Sequence, residues 1–110
     1  MSAYFIMHRR DITDPERLKD YRKGVDATIA RHGGKPVVRA DCYEVLEGEW
    51  HPGANRNDAL PERVTVIEFP DMASLKAWYQ SDDYARLKDI RQSSAVSDAV
   101  AVEGIDITRH

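Results

Sequence analysis

A chain of 110 residues with 42% hydrophobic and 32% charged residues has material for one domain over 1–110 and one core. The net charge of −3 and pI near 5.8 argue against the basic face of a nucleic-acid binder. No Lys/Arg run with interleaved aromatics occurs, and no apolar run approaches the ~20 residues that span a membrane.

The N-terminal "MSAYFIMHRRDITD" puts its charges after the apolar run, the reverse of a signal peptide. A cytoplasmic location is the expectation. Cys42 is the only cysteine, so no intrachain disulfide forms. It falls in a strand-like stretch and is read as a buried, inert thiol.

"AYFIMHR", residues 3–9, has strand composition. In "TDPERLKDYRKGVDATIARHGG", Thr13 or Asp14 is a suitable N-cap, Pro15 suits the first turn, and Glu16 suits the macrodipole. Leu18, Tyr21, Val25 and Ile29 recur at helical spacing and give one apolar stripe. Gly24 interrupts that helix and suggests a close approach of backbones. Gly33 and Gly34 supply a left-handed stop.

"KPVVRADCYEVLEG" predicts a second strand over 36–47. Residues 49–62, "EWHPGANRNDALPE", carry turn formers without periodicity and read as a long loop. "RVTVIEF" is a third strand. Pro70 and Asp71 end it and cap a helix over 72–80, Ser81 caps another over about 82–93, and a fourth strand covers about 95–107. With right-handed crossovers, the order β-α-β-β-α-β gives an α+β, ferredoxin-like fold: a four-stranded antiparallel sheet with its helices on one face.

The strands do not alternate cleanly between apolar and polar. Phe5 and Met7 oppose Tyr4 and Ile6, and Val64 and Val66 oppose Ile67 and Phe69. Both sheet faces need cover, and the helices supply only one. The expected partner is therefore a second copy of the chain, in a homodimer packed sheet to sheet.

"YFIMHRRDITDPERLKDYRKGV", "RHGGKPVVRADCYEVLEGEW", "RVTVIEFPDMASLKAWYQSDDYARLKDIR" and "VEGI" together resemble the family known as domain of unknown function 1330, over about residues 4–105. The resemblance implies a dimeric α/β-barrel, in which two ferredoxin-like sheets close into one barrel. The wider superfamily includes cofactor-independent monooxygenases, lactone isomerases, haem-using enzymes and small-molecule binders. Fold does not fix function, and no reaction carries over.

Several residues have the chemistry for a site. Arg39 and Glu68 lie in apolar strands, where an ionised group needs a partner. They are read either as partners of each other or as anchors of a polar ligand, with Arg39 suited to a carboxylate or enolate oxygen. Arg63 and Glu47 flank the long loop, and all four are alternatively ion pairs that fix register or the dimer. Trp78, Tyr79 and Tyr84 are pocket walls or core packing, and Tyr21 has the same ambiguity. Arg91 either snorkels or holds a carboxylate. His8, the one histidine in a strand, is structural or a general base. "EGEWH" spaces Glu47, Glu49 and His51 two apart, a weak divalent-metal pattern interrupted by a glycine. H-E-x-x-H, P-loop, G-x-G-x-x-G and G-x-S-x-G motifs are absent from the sequence.

The charged pair and the resemblance together point to a small-molecule pocket between sheet and helices. It would take an aromatic or carboxylated molecule without a cofactor; haem enters only through the superfamily. In an enzyme of this kind Arg39 would hold an oxyanion, Glu68 or His8 would move a proton, and the 49–62 loop would gate entry. The alternative is a non-catalytic binding or interaction module whose charges only organise the dimer.

Overall fold

The computed structural model describes residues 1–41, 43–48 and 62–105. Its elements are β1 (Ala3–Ile12), α1 (Pro15–Arg31), β2 (Lys35–Ala40), β3 (Arg63–Phe69), α2 (Met72–Tyr79), α3 (Asp82–Ser94) and β4 (Ala95–Glu103). The strands form one sheet in the order β2-β3-β1-β4, and each neighbouring pair is antiparallel. This is the expected ferredoxin-like arrangement.

Each helix start follows from a short polar side chain. Asp14 accepts from the Arg17 amide at 3.1 Å, Asp71 from the Ser74 amide at 2.7 Å and Ser81 from the Tyr84 amide at 3.2 Å. Pro15 occupies the first turn of α1. Gly33, at φ 79°, turns the chain into β2 where a β-carbon would be strained. At Gly24, an added β-carbon would sit 3.3 Å from Leu87, so α1 and α3 approach there through a side chain rather than backbone to backbone.

Period two sorts the sheet. Ala3, Phe5, Met7 and Arg9 of β1, with Thr65, Ile67 and Phe69 of β3, are buried beneath the helices. Trp78 is fully buried over them. Its ring lies 5.2 Å from Phe5, 5.3 Å from Phe69 and 4.2 Å from Tyr84, centroid to centroid. The other face carries Tyr4, Ile6, His8, Val64, Val66 and Glu68, continued by Val100 and Val102 through the pairings Ile6↔Val100 and Tyr4↔Val102. Val38, Val100 and Val102 are exposed there.

Three strand ends differ from expectation, each for a pairing reason. β1 runs to Ile12, because an irregularity between Arg9 and Asp11 resets its register so that Ile12 meets Ala95. β2 stops at Ala40, which pairs with Val64, beside the first residue of β3; among the described residues no partner strand continues beyond it. β4 ends at Glu103 opposite Ala3, the start of β1, and the Gly104 amide then bonds the Ser2 carbonyl at 2.7 Å. Cys42, and the proposed gate apart from Glu62, lie outside the described residues. Among those described, no helix is long and apolar enough to cross a membrane.

Candidate functional site

Between α1 and the helix-facing side of β1, β2 and β3 lies a cavity of about 220 Å³. This exceeds the ~150 Å³ that accommodates benzene in an apolar protein cavity. Its apolar part comes from the core stripe of α1, including Leu18, Val25 and Ile29, facing Met7 and Ile67 of the sheet. The polar part is mostly cationic: Arg9, Arg22, Arg39, Arg63 and Arg91 line the space, and Asp26 is the only acid among the lining residues.

Strand alternation delivers three of these cations. Arg9 is in phase with Phe5 and Met7, while Arg39 pairs in register with Thr65 and Arg63 with Arg9. Arg39 meets Asp26 in a two-point contact, Nη1 to Oδ2 at 3.2 Å and Nη2 to Oδ1. That hydrogen-bonded pair holds the Asp26 carboxyl below its ordinary value and raises Arg39. Both side chains are substantially exposed, 37% and 60%, so they stand at the mouth. Arg63 makes a second two-point contact with Asp41, at 2.7 and 3.1 Å, and this lowers the Asp41 carboxyl. Arg9 is buried. Burial first, then the positive charges of Arg63 and Arg22, pull its guanidinium down to about 10 against the opposing pull of Asp41.

At the inner end, buried Arg91 directs Nε to the Tyr84 hydroxyl at 3.3 Å. The Tyr84 and Tyr21 hydroxyls lie 3.0 Å apart. Tyr21 lines the cavity. Burial, then neighbouring Tyr84, raises its hydroxyl well above the ordinary value, so it is a neutral group at physiological pH.

The structure thus brings Arg39, Arg63 and Arg91 of the sequence candidates to one cavity, with Tyr84 one hydrogen bond behind. Trp78 is not in the wall; it lies in the core and donates to the Thr28 hydroxyl at 3.0 Å. Tyr79 is half-buried beside Phe5, with the Lys88 ammonium 4.2 Å from its ring centroid. Arg39 does not pair with Glu68. In the β2–β3 register it is Lys35 that sits opposite Glu68, and Arg39 faces the helices. Glu68 lies on the open face, where it accepts from Tyr4 at 3.4 Å and pairs with Lys35 at 3.8 Å.

His8 is on that open face too, 3.3 Å from the buried Glu62 carboxylate and 3.4 Å from the Tyr43 hydroxyl, which itself donates to Glu62. Glu47 is exposed, away from the cavity. Glu49 and His51 lie outside the described residues, and among those described no group of three His, Cys, Asp or Glu could hold a metal. Arg9, Arg22 and Asp26 are the site residues that the sequence reading passed over. Arg9 had a signal, since it continues the buried phase of Phe5 and Met7.

The family described as domain of unknown function (DUF1330) matches residues 2–105, and the chain belongs to it. Among curated proteins none matches in sequence. Of solved structures, RPA0582, a protein of unknown function from Rhodopseudomonas palustris, is 18% identical with a TM-score of 0.65, over 96% of this chain and 83% of that one. A dimeric ferredoxin-like protein of unknown function from Jannaschia sp. CCS1 is 12% identical with a TM-score of 0.68, over 94% and 100%. SnoaB, a cofactor-independent oxygenase from Streptomyces nogalater, is 9% identical with a TM-score of 0.67, over 96% and 94%. At these identities the likeness is one of fold.

Proposed function

We propose that this member of the DUF1330 family is a homodimer that binds a small organic anion, aromatic or otherwise apolar in its body, in the cavity between α1 and the sheet. The observation that carries the reading is the charge imbalance: five arginines and one acid line the space. Burial first, and crowding by Arg63 and Arg22 after it, make the charge on Arg9 costly. A bound carboxylate, phenolate or enolate would relieve that repulsion, and the apolar floor would take the rest of the molecule. The exposed valines of the open face support the homodimer, since a second sheet is the simplest cover for them. The dimeric Jannaschia relative has the same fold.

The likeness to SnoaB suggests cofactor-independent oxygenation of the bound anion, with the arginines holding the developing oxyanion; isomerisation is the alternative that the family resemblance leaves open. His8 and Glu68 lie across the sheet from the cavity. A proton-transfer role for them belongs to the space between the two sheets.

The test is a thermal-shift titration with benzoate against the equally sized neutral benzyl alcohol. Benzoate at a hundred times its dissociation constant should stabilise the wild type by about 2.7 kcal/mol, and Arg39→Ala should lose most of that shift. A silent wild type, or one that responds equally to the alcohol, would overturn the reading.

A second reading has its own observation. The two-point pairs Arg39–Asp26 and Arg63–Asp41 are complete without a ligand. A non-catalytic module whose charges only organise the fold and dimer predicts Arg39→Ala to be less stable by the same amount with and without benzoate.

A further inference from the structure

Arg91, Tyr84 and Tyr21 form a hydrogen-bonded row that runs from the base of α3 to the cavity wall. The donors fix the direction of the row. A guanidinium has hydrogens to give and no lone pair to accept with, so Arg91 Nε donates and the Tyr84 oxygen accepts. The Tyr84 side chain is wholly buried, and its own hydrogen needs an acceptor. Among the described residues its only other partner is the Tyr21 oxygen at 3.0 Å. Were Tyr21 the donor instead, Tyr84 would accept twice and its hydrogen would be left buried and unbonded, which is costly. The Tyr84 hydrogen therefore goes to Tyr21. The Tyr21 oxygen is occupied as an acceptor, and its hydrogen has no protein acceptor among the described residues.

We infer that Tyr21 is a committed hydrogen-bond donor to the ligand in the cavity, locked in that sense by Arg91 through Tyr84, and that it makes the site select deprotonated oxygens over hydroxyls. The inference rests on the proposed anion-binding cavity and names how that cavity discriminates. An ordinary tyrosine can turn its hydroxyl to donate or accept. This one already accepts from Tyr84 and keeps its hydrogen free for the cavity, so donation is its open role, and the surrounding guanidiniums offer only donors. Carboxylate, phenolate and enolate oxygens accept from all of them. An alcohol or protonated acid brings a hydrogen that no guanidinium can receive, and the one carboxylate in the lining, Asp26, is engaged by Arg39, which leaves the Thr65 hydroxyl as a neutral acceptor. The neutrality of Tyr21 at physiological pH agrees with this donor role.

Tyr21 is thus a specificity-determining residue, and Tyr84 and Arg91 are positioning residues behind it. The test measures benzoate and benzyl alcohol affinities by calorimetry for the wild type, Tyr21→Phe and Tyr84→Phe, each first shown to melt cooperatively. Tyr21→Phe keeps the ring and should weaken benzoate about tenfold, as expected for the loss of one hydrogen bond to a charged group, with little change for the alcohol. Tyr84→Phe leaves the Tyr21 hydroxyl in place but frees it to accept, so the preference for benzoate over the alcohol should narrow. A merely structural Tyr84 would lower both affinities together. 4-Nitrophenol gives a spectroscopic check: its phenolate band at a pH near its own pKa should be enhanced on binding to the wild type and less so with Tyr21→Phe.

Benzoate binding that is unchanged in Tyr21→Phe would overturn the donor role while leaving the cavity reading intact. Unchanged discrimination in Tyr84→Phe would overturn the locking. A wild type that binds no benzoate would overturn the cavity reading, and this inference with it.

Discussion

The Trp78 indole N–H and the Thr28 hydroxyl meet at 3.0 Å in the protein interior, joining α2 to α1 where neither side chain reaches water. Thr28 passes its own hydrogen to the Val25 carbonyl at 2.7 Å, so one hydroxyl satisfies two elements. Thr28→Val conserves shape and orphans the indole. It should cost about 1–3 kcal/mol, read as a lowered thermal midpoint. Thr28→Ser should recover most of the loss, and a Val variant as stable as wild type would mean that the bond contributes nothing.

Gly34 is needed for lack of a side chain. A β-carbon there would lie 2.5 Å from the Phe69 ring and 2.9 Å from Ile29, both buried core residues. Gly34→Ala should destabilise by about 1–3 kcal/mol through overpacking. Chemical denaturation would show this as a lower midpoint with an unchanged slope.

Acid stability should depend on the two rim pairs. Arg39 lowers the Asp26 carboxyl and Arg63 lowers the Asp41 carboxyl. A carboxyl depressed by folding stabilises fully above its unfolded value, near about 4. That stabilisation fades as pH falls through the lower folded value. Asp26→Asn and Asp41→Asn should each flatten the decline below that point, by only about 0.2–1 kcal/mol because the pairs are exposed. Stability curves of the variants that run parallel to wild type from neutral pH to acid would contradict this.

Assembly should be separable from the cavity. Val100 is 55% exposed on the open face and pairs in register with Ile6. In a lone protomer Val100→Asp would leave its charge in water at little cost. In a sheet-to-sheet dimer it would bury that charge. Light scattering should therefore report a halved mass for the variant if the wild type dimerises through this face; an unchanged dimer would place the interface elsewhere.

Much of the fold could be read from local chemistry. Asp14, Asp71 and Ser81 announce the helix starts, and the opposed pairs Phe5/Met7 and Tyr4/Ile6 announce a sheet with two apolar faces. Strand ends were harder to see, because they depend on where a neighbour stops: nothing in "ADCYEVLEG" reveals that β3 begins only at Arg63. The site was legible in its ingredients and not in its groupings. Arg39, Arg63 and Arg91 were visible as charges in apolar surroundings. That Arg39 would meet Asp26 rather than Glu68 depends on register across two strands and a helix, which no local pattern encodes. Tyr21 reads equally as pocket wall or core in the sequence, and its proposed donor role emerges only when Tyr84 and Arg91 stand behind it.

The alternation of β1 has an evolutionary consequence. Met7 and Arg9 face the cavity, while Ile6 and His8, the residues between and beside them, face the opposite side. If the cavity binds an anion and the open face pairs two copies, as proposed, two selective pressures act on one ten-residue segment without competing for a side chain. A lineage could then retune the cavity by substitutions at odd positions and leave the open face unchanged, or do the reverse. A shift of the strand by a single residue would exchange both surfaces at once, so insertions within β1 are the changes that descent should tolerate least.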